Sequence, residues 1–386
     1  LNFVVKEQPE NADAYFFLGK AYHVGYYFDQ ATLNYNIYLK KCGSKGKYIS
    51  EANRNIQMSA NGKKLLSKIT DVHVKEKMEV GKENFYRGYN LENIGGSLIQ
   101  ALDFQSKVDK KKGHKPVVHL LSGSELIYFS SYGDGDNLDI YVVRRLPNGN
   151  FGVPQKILGE VNTSFDEDYP YLHPNGKELF FSSKGHNSMG GYDIFKATFD
   201  PENNQFIAVE NIDFAISSPD DDLLYMVDQE YKNAYFASNR QAQNGMITIY
   251  KVAVDKFPSE LVILKGSFES QLNGGYKQLS IEVYDYQTNR RIGKFQTNES
   301  ADYVVVLPRG GKYLFKSSSG QFNGNFSQVV EVPHLDVVRP LRQYAKHFTK
   351  GTGTDVQFIN AFDEKIENPS DVIAEALKVK GELQPN

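Results

Sequence analysis

Two acidic triplets are the most obvious chemical equipment in this sequence. Asp166-Glu167-Asp168 and Asp220-Asp221-Asp222 crowd carboxyl groups together, and paired carboxylates can serve as acid and base in glycoside hydrolysis. A third acidic stretch spaces Asp134, Asp136 and Asp139 so that their oxygens could converge on a hard cation such as calcium. No glutamate follows at the distance a calcium loop needs, so a hairpin whose Asp and Asn fix the turn is the competing reading. The eight His are scattered. His114 and His119, five apart, fall on opposite faces of a strand. Cys42 is the one cysteine; it has no disulfide partner and no nearby His, which suits a small apolar residue on a helix. The Ser nucleophile elbow, the phosphate-binding loop and the HExxH zinc helix are all missing. The sequence therefore predicts no catalytic residue, no cofactor and no metal site beyond that calcium candidate.

The elements around the triplets repeat. Leu126–Ser131 is followed by Asp139-Ile-Tyr141, Leu179–Ser183 by Gly190-Gly-Tyr-Asp-Ile-Phe195, and Ala234–Arg240 by Ile247–Tyr250. Each unit is two short apolar-aromatic strands joined by a Gly/Asp/Asn-rich turn, with Ile140, Ile194 and Ile249 at matching places. Both acidic triplets sit in the turn before a repeat's first strand, which makes them structural turns rather than a unique site. Ile140, Ile194 and Ile249 lie 54 and 55 residues apart, and self-similarity at that period in an all-β stretch marks propeller blades.

With 386 residues the chain is long enough for two or three domains. The net charge of −3 gives no electrostatic reason to expect nucleic acid or anionic lipid. Lys107, Lys110, Lys111, Lys112 and Lys115 form a basic run without interleaved aromatics, read as a solvated loop. Tyr and Phe number 25 each and Trp is absent, which suits strands and polar turns. No apolar run is longer than Tyr303–Leu307, which is far short of the ~20 residues a membrane-spanning helix needs. The sequence opens on Leu1 rather than Met, leaving room for an export signal or lipid anchor ahead of it.

The segment Asp166–Ala197 resembles the WD40-like PD40 blade. Asp166, Glu167, Pro170, Pro174, Gly176, Lys177, Ser182, Ser183, Gly190, Gly191 and Asp193 match its motif. Three clear blades are fewer than the four a closed propeller usually requires; residues 85–115 could hold another strand set, with Tyr89–Gly96 as an outer strand and its turn. Residues 260–333 resemble the carboxypeptidase-regulatory-like β-sandwich through Gly266, Phe268, Tyr303, Val305, Leu307, Pro308, Gly310 and Tyr313. That module implies binding and support, and no catalytic residues.

At the N-terminus Tyr15, Leu18, Gly19, Tyr22, Ala31 and Tyr35 follow the order of a tetratricopeptide repeat, in which Gly19 lets a second helix approach and Ala31 supplies its small contact. The implied function is a concave groove for a peptide or helix; the alternative is a packing platform. Near the C-terminus Asn368-Pro369, with Val372, Ala376 and Val379 on one stripe, predicts a helix stopped at Gly381.

The predicted protein is thus multi-domain and mainly β: residues 1–70 a TPR-like helical repeat, 71–258 propeller-type repeats, 259–336 a small sandwich, and 337–386 a C-terminal extension with a short helix. This order is similar to the PorE-type envelope proteins of type IX secretion and to the OmpA-like peptidoglycan-associated family. The resemblance implies a non-enzymatic scaffold, in the periplasm or at the outer membrane, binding envelope proteins of a secretion or motility complex. Val356–Phe362 only faintly echoes the OmpA-like domain, so peptidoglycan contact is not expected of this chain. The alternative is a glycan-binding surface protein that stacks sugars on Tyr132, Tyr169, Tyr171 and Tyr192.

Overall fold

The computed structural model describes residues 1–66, 70–254, 257–258, 261–272, 274–335 and 338–383. The chain is mainly β, with several separate sheets and a short N-terminal helical region. It divides into two compact units. The first comprises Leu1–Val24, Tyr35–Leu65 and Ile69–Pro258; the second comprises Gly25–Asn34, Leu66–Lys68 and Ser259–Asn386.

Helices α1 (Asn2–Glu7), α2 (Ala12–Val24), α3 (Phe28–Cys42) and α4 (Ile49–Leu66) open the chain. In the first unit the Tyr35 ring, fully buried, lies on Gly19. A methyl group on Gly19 would stand 2.7 Å from that ring. Two effects compete in a Gly19→Ala variant: helix propensity favours alanine by about 1 kcal/mol, while overpacking a close contact costs about 1–3 kcal/mol. Because the obstructing atoms belong to a buried ring, the clash should win, and thermal melting should show the variant less stable than the parent. The buried face of α2 also carries Ala14, Phe16 and His23, and Phe16 stacks on Tyr48 with centroids 4.3 Å apart and an interplanar angle of 2°.

Antiparallel sheets fill the rest of this unit. Ser97–Gln100 pairs with Val117–Leu120. Leu126–Ser131, Asp139–Arg144 and Gln155–Lys156 form a three-stranded sheet. Glu167–Leu172, Glu178–Ser183, Asp193–Asp200 and Gln205–Asn211 form a four-stranded sheet in chain order. The next sheet takes Asp222–Val227, Asn233–Ser238 and Met246–Ala253, and its fourth strand is Val74–Gly81 from far upstream. Tyr89–Gly96, expected as an outer strand, forms none; the local strand begins at Ser97. Apolar cores lie between successive sheets: Ile140, Phe181 and Phe195 share one, and Tyr171, Phe180, Leu224 and Phe236 share another. The first strand of each four-stranded sheet breaks register at the same repeat position, where Tyr169 and Leu224 take positive φ of 51° and 50°.

The lysine run is not a loop. Lys107–Lys112 forms helix α5, started by a capping box in which the Ser106 side chain accepts from the Asp109 N–H at 3.0 Å and the Asp109 carboxylate from the Ser106 N–H at 2.7 Å. Gly113, at φ 72°, ends it.

In the second unit two four-stranded sheets share one core. One runs Asp302–Leu307, Val262–Ser270, Pro340–Lys350, Gly353–Asn360, with the middle pair parallel. The other runs Arg291–Gln296, Ser280–Asp285, Gly311–Ser318, Asn325–Val332. Leu264, Tyr303, Phe315, Leu341 and Phe358 meet between them. Residues 340–360 therefore supply two long strands of this core, where the sequence reading places them in a C-terminal extension beyond the sandwich. That helix, α6 (Pro369–Leu383), buries Val372, Ile373, Ala374 and Ala376. Near its start Ser370 donates to the Asp29 carboxylate, and the Asp29 N–H donates to Asp371 Oδ1 at 3.2 Å.

Candidate functional site

The acidic residues that could do chemistry are absorbed by a clasp that recurs in three sheets. Glu167 and Asp222 stand at equivalent places and are fully buried. The Thr163 N–H donates to Glu167 at 2.8 Å, and the Ser218 N–H to Asp222 at 2.6 Å, each from four residues upstream. Each carboxylate also holds the last serine of the following strand: Ser183 Oγ donates to Glu167 Oε1 at 2.7 Å, and Ser238 is bonded to Asp222. The serine oxygens in turn accept from main-chain N–H groups two residues on, at Gly185 (2.8 Å) and Arg240 (3.2 Å). The three-stranded sheet builds the same clasp from another source. Asp109 of α5, fully buried, takes Ser131 Oγ at 2.6 Å and the Tyr132 N–H at 2.8 Å, and Ser131 Oγ accepts from the Gly133 N–H at 2.9 Å. Sequence reading missed Asp109 because it lies outside the repeat; the Ser106-x-x-Asp109 capping pattern was the available signal.

Burial and hydrogen bonding pull these carboxyls in opposite directions. Burial pushes Glu167 above its ordinary value despite the donors from Thr163 and Ser183, and does the same to Asp222 despite Arg240. At Asp109 burial is outweighed by bonds from Ser131, Tyr132 and Ser106, which hold it low. Asp193, fully buried, is pushed well up by burial and by the charge of Asp222, while accepting from the Met189 N–H at 3.0 Å and Asn211 at 2.9 Å. Two acids with displaced affinities could in principle divide acid and base roles. Here both are sealed at 0% exposure, out of reach of a substrate.

One group imitates a hydrolytic triad. Ser130 Oγ lies 3.3 Å from His114 Nε2 and 2.5 Å from Asp168 Oδ1. A serine nucleophile gives its proton to histidine, whereas Ser130 donates to the carboxylate and is fully buried. The contact ties one sheet to the next. Its counterpart is Ser182 Oγ, which accepts the Leu224 N–H at 3.2 Å.

The other motif residues shape turns. Gly176, at φ 71°, donates its N–H to His173 O at 2.9 Å and closes the turn that Pro174 begins. Pro170 is buried within its strand. A methyl group on Gly190 would stand 2.2 Å from Pro219 O, and one on Gly191 2.3 Å from Asp221 Oδ1. The three residues weighed as calcium ligands do not converge: Asp139 is buried and bridged by Lys156 at 2.7 Å, while Asp134 and Asp136 are exposed. Among the described residues no group of three His, Cys, Asp or Glu is placed to hold a metal.

Leu18, Gly19, Ala31 and Tyr35 are buried, and Tyr15 and Tyr22 are half-buried. Within the first unit α2 and α4 grip the loop that carries Gly190 and Gly191. His23 Nε2 donates to Met189 O at 2.6 Å, Arg54 to Lys184 O at 2.8 Å, and Asn61 to Ser188 O at 3.0 Å. Ser59 Oγ lies 3.1 Å from His23 Nδ1, and burial lowers the histidine's proton affinity, so it serves as a neutral donor. Met189 is fully buried. All three donors meet main-chain carbonyls, so part of the helical surface grips the protein's own backbone. Beside this contact remains a cleft of about 400 Å³, edged by Lys20, Glu51 and Arg54.

The tyrosines offered as sugar platforms are poorly available. Tyr171 is fully buried, the ammonium of Lys112 lies 3.7 Å from the Tyr132 ring centroid, and that of Lys184 lies 4.6 Å from Tyr192. Phe85 packs edge-on to Tyr169 with centroids 5.6 Å apart. No helix among the described residues is long and apolar enough to cross a membrane.

No protein-family model matches the chain, and no curated protein matches it. Among solved structures it is similar to a candidate cell adhesion protein of Bacteroides fragilis (11% identity, 71% of this chain and 95% of the other, TM-score 0.22). It is also similar to a periplasmic gluconolactonase of Pseudomonas aeruginosa (13%, 63% and 72%, TM-score 0.22) and to a candidate cell adhesion protein of Bacteroides ovatus (7%, 59% and 80%, TM-score 0.20). Superpositions this loose assign neither fold nor function to the chain.

Proposed function

We propose that this protein is a non-enzymatic scaffold of a bacterial cell envelope, whose sheet-borne loops bind partner proteins of a secretion or gliding apparatus of the type IX kind. The observation that carries the non-enzymatic part is the clasp. Asp109, Glu167 and Asp222 are each sealed from solvent and committed to serine and main-chain partners. Acids used three times over in one structural role are poor candidates for a single centre of turnover. The scaffold part rests on the sequence resemblance: PD40-type motif residues, a tetratricopeptide-like opening and a regulatory-like sandwich, in the order found in PorE-type proteins. On this reading the three- and four-stranded sheets are propeller blades, the Val74–Gly81 strand completes the last blade, and the paired sheets of the second unit are the sandwich.

The test is capture of the tagged full chain from cells after mild crosslinking. Envelope proteins should be recovered in constant proportion to it. Recovery of the chain alone, or turnover of glycoside or peptide substrates by the purified protein, would overturn the proposal.

A further inference from the structure

The second unit holds a histidine in surroundings that suit only its neutral form. His347 lies on the strand Pro340–Lys350 and is 0% exposed. Its ring stacks on Phe322 with centroids 4.0 Å apart and an interplanar angle of 19°. Tyr276 and Phe326 stand 6.1 and 6.3 Å away, and Phe268 stacks on Phe322 at 6.2 Å. Nδ1 is 3.1 Å from Ser270 Oγ, while Nε2 is buried without a hydrogen-bond partner.

Three of the four aromatics belong to two chain segments that close over the ring. Tyr276 comes from the stretch after Ser270, and Phe322 and Phe326 come from the turn and strand start after Ser318. The segments are stitched to each other: the Lys277 and Gln278 N–H groups both donate to Gln321 Oε1 at 2.9 Å, and Ser319 Oγ donates to Gln278 O at 2.6 Å.

Among the described residues no carboxylate is placed to compensate a charge on the ring. From the strand Val262–Ser270, Ser270 faces it, and Val356 lies opposite it on Gly353–Asn360. From Asn325–Val332 comes Phe326. The charged residues one place away in alternation, Glu269, Lys346 and Asp355, belong to the other face of their strands. Glu269 sits opposite Lys346, Asp355 is bridged to Lys350 at 2.5 Å, and Lys277 is exposed. A cation here would be desolvated and unpaired, which is costly.

We infer that His347 and its aromatic cover form an acid-sensitive latch: protonation of the ring releases residues 274–278 and 319–326 and exposes Tyr276, Phe322 and Phe326 as an apolar patch. The inference goes beyond the scaffold reading and does not depend on it. The sign follows from burial, which lowers the proton affinity of His347 below its ordinary 6.5. The closed form is favoured in full above that value and loses stability as the pH falls below it, because the open form binds more protons.

Hydrogen exchange on the full chain at pH 7.5 and 5.0, corrected for the intrinsic pH dependence of exchange, tests this. Protection of 274–278 and 319–326 should fall at the lower pH more than that of Asp302–Leu307, and the loss should vanish in His347→Phe, whose ring cannot be charged. The ring's own NMR titration in the unaltered protein gives a second reading, with a midpoint below 6.5 expected. A midpoint at or above the ordinary value, unchanged protection, or the same pH response in His347→Phe would each overturn the latch.

Discussion

Asp222→Ala is expected to destabilise the sheet-repeat unit by about 3–5 kcal/mol, the usual effect of removing one partner of a buried ion pair. Arg240 is the partner: its Nη2 lies 2.5 Å from Asp222 Oδ1, and its side chain is only 18% exposed. Alanine would take the carboxylate from that guanidinium and also unbind the Ser218 N–H and hydroxyl, which reach Oδ2 at 2.6 and 2.8 Å. The guanidinium would keep its bonds to Ala215 O and Ile216 O, so the lower end of the range is the safer figure. Urea denaturation followed by tyrosine fluorescence measures the effect. Asp136→Ala, at an exposed carboxylate, should stay within about 0.5 kcal/mol of the parent. Equal midpoints for the two variants would remove the clasp from its structural role.

Met189→Ala should be the next most damaging change, at about 2–5 kcal/mol, the range for emptying a buried methionine site. Met189 is fully buried, and its carbonyl is the one that His23 holds. The damage should be local first. Limited proteolysis should cut α2 and α4 sooner than the sheets, because the loop that the helices grip would no longer be fixed from its own side. Cleavage that begins in the sheets instead would mean that the helices stand without this loop.

The repeats were legible because their signal is carried by residues that must be what they are. The Pro and Gly of the turn at Pro174 and Gly176, the serines that end the strands, and the paired Gly190 and Gly191 answer to backbone geometry and space, and such demands leave a readable spacing. The buried faces of α2 and α3 were partly legible, through Leu18, Gly19, Ala31 and Tyr35. Phe16 and His23 escaped, because their burial depends on Tyr48 and on a loop some 160 residues away in sequence. Long-range pairing was the least visible. Val74–Gly81 alternates Lys and Glu with few apolar residues and is almost wholly exposed, so it lacks the pattern of a half-buried strand. Asp109 was hidden for a similar reason, since a helix supplies in one repeat what the first residue of a strand supplies in the others.

The upstream origin of that strand has a consequence during synthesis. Val74–Gly81 leaves the ribosome long before Met246–Ala253, the strand with which it pairs among the described residues. Until then it has no template, and its alternating charges keep a solitary β segment from adhering to nascent chains nearby. Joining Val74–Gly81 to Met246–Ala253 cannot precede synthesis of the latter, and pairing so distant in sequence is intrinsically slow. A chain shortened so that it begins after Gly81 would leave Met246–Ala253 as a bare edge, and aggregation rather than simple loss of stability is the outcome to expect.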